Sequence, residues 1–146
     1  MERRDILKSA GVVALAAMAG AASAAHDEHA HHGAAARKFA ALIASSGDCV
    51  VTGEACLAHC LVLLGKGDKE MAACAQSVNQ LLAVCAALQK LAGQDSRYTP
   101  GFARLAAEVC ADCEKECRKH ENKHAECKAC ADSCAACVLE CRTLAA

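Results

Sequence analysis

From about position 37 onward, apolar residues recur at spacings of three and four, with polar and charged residues filling the intervals. That is the helical period. Four segments carry it. The first runs from Arg37 to Leu64, with Gly47 and Gly53 as weak points, and stops at Gly65-Lys66-Gly67, as a glycine helix end does. Asp68 is placed to cap a second segment, which reaches Ala92 and ends at Gly93. After a loop from Gln94 to Tyr98, Thr99 as N-cap and Pro100 at the first helical position open a third segment reaching Lys119. The charged stretch Arg118 to His124 forms a turn, and the fourth segment covers Lys123 to Leu144. Connections this short make consecutive helices antiparallel neighbours. The expected fold is all-α, an up-down-up-down antiparallel four-helix bundle over residues 37–146.

The inward stripe of each segment carries cysteine where a bundle normally places leucine. At 100° per residue, Cys127, Cys130, Cys134, Cys137 and Cys141 fall within an arc of about 80°. Cys110, Cys113 and Cys117 share one face of the third segment, and Cys49, Cys56 and Cys60 one face of the first. Cys74 and Cys85 differ in direction by only about 20° on the second. The predicted core is therefore lined with thiols.

Composition agrees with this picture and excludes others. Of 146 residues, 13 are cysteine and 36 alanine, against three aromatics, Phe39, Tyr98 and Phe102, and a single proline. An all-β sandwich needs aromatic and β-branched strands with frequent turns. A disulfide scaffold needs an even cysteine count and many loops. A 55% apolar chain with net charge -1 is not a disordered one. No basic excess or aromatic platform suggests nucleic acid. No catalytic triad, carboxylate pair or phosphate loop suggests an enzyme.

The first 24 residues read as an export signal. Arg3-Arg4 precedes an apolar run from Ser9 to Ala22 that is too short to span a bilayer, and Ala22-Ser23-Ala24 is a cleavage pattern. The twin arginine points to the bacterial Tat route and a periplasmic destination, with no membrane segment in the mature form. Tat carries folded proteins, so thiols buried before export would escape oxidation. Residues 25–36 hold His26, His29, His31 and His32, a tail that either binds metal loosely or is merely solvated.

Thirteen cysteines on aligned stripes are more than small hydrophobic filler. Cysteines three or four apart on a helix point along the axis and do not bridge without strain. Metal is the remaining reading. Thiolates are soft and select Cu(I), Zn(II) or iron–sulfur clusters. Structural zinc uses local knuckles on separate loops, and ferredoxin clusters use a proline-terminated loop motif. Continuous ladders suit Cu(I), which accepts two or three thiolates and tolerates bridging sulfur. Buried thiolates need neutralising, and about one Cu(I) per cysteine does so. A zinc-binding or redox-buffering thiol protein and a single-ion copper chaperone are the competing readings.

The two ends of the bundle differ. One collects His59, Met71, His120 and His124 beside Cys60, Cys74, Cys117 and Cys127; the other collects Phe39, Leu42, Ile43, Leu88, Leu91, Phe102, Leu105 and Leu144. The first is a mouth through which copper is expected to pass, and the second an apolar plug. His120 and His124 read as turn residues. Met71 is either a ligand or core packing. His59, between Cys56 and Cys60, is the best non-cysteine ligand candidate.

Several stretches together resemble the bacterial copper storage proteins of the exported, Tat-targeted type. They are the Met1-Glu2-Arg3-Arg4-Asp5 start, the His-rich tail, Thr52-Gly53-Glu54-Ala55-Cys56-Leu57 through His59-Cys60, and Met71-Ala72-Ala73-Cys74. Phe102-Ala103, Val109-Cys110-Ala111-Asp112-Cys113, Glu116-Cys117 and Ala125-Glu126-Cys127-Lys128-Ala129-Cys130 complete them. The resemblance implies a bundle whose lumen is filled with Cu(I), a homotetramer, and a role in supplying cuproenzymes or a recipient chaperone. It also implies that His59 and Met71 are ligands at the mouth. Where relatives carry further methionines near the end of the first helix, this chain has Leu63 and Lys66.

Overall fold

The computed structural model describes residues 38–144. The expected signal segment, residues 1–24, and the His-rich tail, residues 25–36, lie outside the described residues. Four helices follow in order: α1 Ala40–Gly65, α2 Ala72–Gly93, α3 Thr99–Arg118 and α4 Ala125–Thr143, with a 3-10 turn Lys69–Met71 before α2. Among the described residues, the backbone of α1 packs against α2 and α4, and that of α3 against the same two, while the diagonal helices meet only through side chains at the axis. This is a square antiparallel bundle, as the periodicity implied.

The helix ends follow from local chemistry. Gly67 adopts φ 94°, and its N–H donates to Leu64 O while the Asp68 N–H donates to Leu63 O at 3.1 Å. Such a left-handed residue closes α1 and satisfies its last carbonyls. Asp68 then caps the 3-10 turn by accepting from the Glu70 N–H at 3.1 Å. The start of α3 differs from expectation. Thr99 is already helical and Tyr98 takes the cap position. The cause is a preceding turn in which the Thr99 N–H donates to Ser96 O at 3.0 Å. Thr99 is fully buried, and its Oγ1 has no hydrogen-bond partner.

Gly47 and Gly53 do not weaken α1, which is continuous through both. A Cβ on Gly53 would lie 2.9 Å from Leu82 Cδ2, and one on Gly47 2.7 Å from Gln89 Nε2. At both positions a side chain of α2 fills the space that a Cβ would occupy. The plug is built from Phe39, Leu42, Leu88 and Ala92, all buried, with Ile43, Phe102 and Leu144 packed partly against the core. Leu105 is not part of it. It is 47% exposed, because Ala103 and Ala106 take the inward positions of that turn.

Candidate metal centre

Alanine keeps the helices regular and allows close approach, while the cysteine stripes meet at the axis. All thirteen cysteines are free thiols, and each is 0% exposed. Their sulfurs form linked groups along the bundle. Cys56, Cys60, Cys74 and Cys127 gather at the mouth, and Cys49, Cys85, Cys110 and Cys137 towards the plug. Cys56, Cys117 and Cys130, and Cys113, Cys130 and Cys134, lie between them, with Cys134 hydrogen-bonded to Cys49; within each group all sulfurs lie within 4.8 Å of one another. Cys141 extends the row, 3.9 Å from Cys137.

The inter-helix sulfur contacts include Cys74–Cys117 and Cys85–Cys110 at 3.6 Å and Cys56–Cys127 at 3.8 Å. Cysteines one turn apart also meet without bonding, Cys113–Cys117 at 3.9 Å. These are S–H···S contacts, far longer than a disulfide. Cys49 further donates to the Ser133 carbonyl at 3.3 Å, beside a hydroxyl contact of 2.6 Å between Thr52 and Ser133 that ties α1 to α4.

Contact makes the thiols unequal. Hydrogen bonds from Cys110 and Cys134 hold Cys49 down at about 5. Cys130 is lowered chiefly by Cys113, Cys137 by Cys110, and Cys74 by Cys117. Other thiols of the network hold their own protons more tightly. Cys110 is raised chiefly by Cys137, Cys117 and Cys134 chiefly by Cys113, and Cys60 by burial. A lowered thiol thus sits in every sulfur group, and an arriving soft cation can bind there first and displace the protons of its neighbours into solvent.

At the mouth, Met71 is 1% exposed at the end of the 3-10 turn, three residues before Cys74. His59 Nε2 lies 3.0 Å from His124 Nδ1, and His59 Nδ1 faces Glu126 Oε1 at 3.7 Å. His124 is therefore more than a turn residue. The spacing held a signal for it, since one further step of three back along the α4 stripe from Cys127 lands on His124. His120 stays in the turn, its N–H donating to Cys117 O at 3.0 Å. The donor set as a whole, continuous soft sulfur with no hard oxygen in the groups, fits several Cu(I) ions per chain.

Comparison with known proteins points the same way. The family model described as copper storage protein matches residues 34–146. An uncharacterised cysteine-rich protein of Bacillus subtilis (strain 168), YhjQ, is 30% identical over 99 residues, covering 68% of this chain and 88% of that one. A Cu(I)-bound copper storage protein, BsCsp3, superposes with a TM-score of 0.64 at 29% identity, covering 73% of this chain and 96% of that one. A copper storage protein of Streptomyces lividans, Ccsp, loaded with 10 copper equivalents, superposes at 0.68 with 26% identity, covering 78% of this chain and 88% of that one. The chain belongs to the copper storage protein family.

Proposed function

We propose that this protein stores Cu(I) in bulk, about one ion per cysteine, inside the bundle. The observation that carries this is a continuous row of thirteen buried free thiols with no solvent-exposed member. All thirteen cysteines act as ligands, joined at the mouth by His59 and Met71. One Cu(I) per thiolate leaves the interior neutral, the condition under which so many thiolates can be buried. The copper is held for cuproenzymes or a copper chaperone, or kept away from the rest of the cell, and no bond of a substrate is transformed.

Anaerobic titration of the reduced protein with Cu(I), read against a strong Cu(I) chelator, tests the reading. Saturation near the cysteine count is expected. Saturation at one ion per four cysteines, the pattern of closed tetrahedral zinc sites, overturns it.

Export by the Tat route to the periplasm is part of the proposal, supported by Arg3-Arg4 and Ala22-Ser23-Ala24. Replacing both arginines by lysine should leave the unprocessed protein in the cytoplasm, as seen by fractionation and immunoblotting. A homotetramer completes the reading. It is supported by exposed Val51, Leu61 and Val62 on the outer face of α1, an apolar surface that the sequence stripes alone do not single out. Sedimentation of the purified protein tests it.

A further inference from the structure

The thiol row is not walled by sulfur on all four sides along its whole length. The group of four at the mouth and the group of four towards the plug each include one cysteine of α2, Cys74 and Cys85 respectively. The two groups of three between them include none. The cause lies on α2 itself. Cys74, Val78, Leu81 and Cys85 fall within an arc of about 60°, so Val78 and Leu81 take the inward turns between the two thiols. Both are 0% exposed. On α1 the matching gap is Gly53, buried on the stripe of Cys49, Cys56 and Cys60 with no side chain to offer. Leu81 reaches into that gap, since a Cβ on Gly53 would lie 3.4 Å from Leu81 Cδ2. At this level the α1–α2 side of the lumen is hydrocarbon. The ligands come from α3 and α4, where Cys113 and Cys130 stand 4.0 Å apart.

We propose that Leu81, seated over Gly53 with Val78 beside it, is a hydrocarbon septum that divides the store into a mouth pool and a deep pool and confines the passage of Cu(I) between them to the α3–α4 side. This rests on the storage reading above and adds the residue that sets how fast the deep pool fills. Hydrocarbon gives a soft cation nothing to bind, so an ion crosses only from sulfur to sulfur. The crossing runs from Cys56 to Cys130 and Cys134 and on to Cys49. At each step one Cu(I)–S bond forms and one breaks. The proton of the newly bound thiol passes to the thiolate just vacated, so charge is conserved and copper stays Cu(I).

The test is anaerobic loading of the reduced full chain from a weak Cu(I) chelate, followed by stopped flow in the ultraviolet Cu(I)–thiolate absorption, to which the tail histidines do not contribute. Two phases are expected, the slower being the deep pool. Leu81→Ala should accelerate the slow phase several-fold and leave final saturation unchanged. Leu81→Ile, which keeps the hydrocarbon volume, should retain both phases. Leu81→Cys, which places a ligand in the septum, should merge the phases and raise saturation by about one Cu(I) per chain. Leu88→Ala truncates a buried leucine of the same helix away from the septum and controls for general loosening. An equal acceleration in that variant overturns the proposal. So does an unchanged slow phase in Leu81→Ala, or a Leu81→Cys chain that takes up no further copper. The failures of the two readings are distinguishable. Saturation at one ion per four cysteines sinks the storage reading, whereas saturation near the cysteine count in a single phase sinks the septum alone.

Discussion

At the scale of single residues, the core thiols are identical in kind and unlike in acidity. Each lowered thiol owes its acidity to S–H donors around it, while the raised ones are held up by neighbouring sulfur or, at Cys60, chiefly by burial. The consequence for the metal-free protein can be signed. Cys49 is lowered from 9.0 to about 5, so its contribution to stability is present above pH 9 and is lost as pH falls towards 5. Cys127 is raised from 9.0 to about 12, with the Cys56 contact working against the rise and Cys74 and burial driving it. Its contribution is present below pH 9 and is lost as pH climbs towards 12. The reduced apoprotein is therefore expected to be most stable near pH 9, with a melting temperature that falls on both sides. Once every thiolate is held by copper the alkaline limb should disappear. A melting temperature flat from pH 9 to 12 in the metal-free protein would contradict the assigned thiol network.

At the scale of elements, the sequence was informative wherever a property belongs to one helix alone. Cysteine spacing set which face of each helix turns inward, and Gly67, Asp68 and Pro100 marked the breaks. What escaped it depends on a partner helix. Gly53 reads as a helix breaker until Leu82 of α2 is placed 2.9 Å from where its Cβ would be. Leu105 reads as core until Ala103 and Ala106 claim the inward positions. His124 reads as a turn residue until α1 brings His59 to it. A Gly53→Val substitution should therefore cost about 1–3 kcal/mol, despite valine's better helix propensity, because it wedges α1 from α2; thermal or denaturant unfolding measures it. The turn between α3 and α4 is held differently. Arg118 bonds Glu114, Glu121 and Asp132, and this draws its own pKa further up. The guanidinium is 34% exposed, so salt screens the network. Arg118→Ala should lower the melting temperature slightly in dilute buffer and leave it unchanged in high salt.

At the scale of the whole molecule, the bundle has one closed end and one chemically inviting one. Phe39, Leu42, Leu88 and Ala92 seal the first with close-packed hydrocarbon, which offers a metal ion no ligand along the way. The second presents the partly exposed His59, the buried Met71 and the group of Cys56, Cys60, Cys74 and Cys127. A cation that exchanges ligands stepwise can descend this series without ever losing coordination. Cys56 and Cys130, which each belong to two groups, lead on from the mouth to Cys113 and Cys134, and Cys134 in turn contacts Cys49 of the group nearest the plug. Rate and capacity should therefore separate. Met71→Ala should slow Cu(I) uptake from a chelate in stopped-flow absorbance while leaving the final stoichiometry near the cysteine count. Leu88→Ala, at the plug, should cost about 2–5 kcal/mol of stability through the cavity it opens. The same change should leave the uptake rate alone, because the ions do not travel through that end. If Leu88→Ala altered uptake while Met71→Ala did not, ingress would be through the plug, and the mouth would be a structural cap.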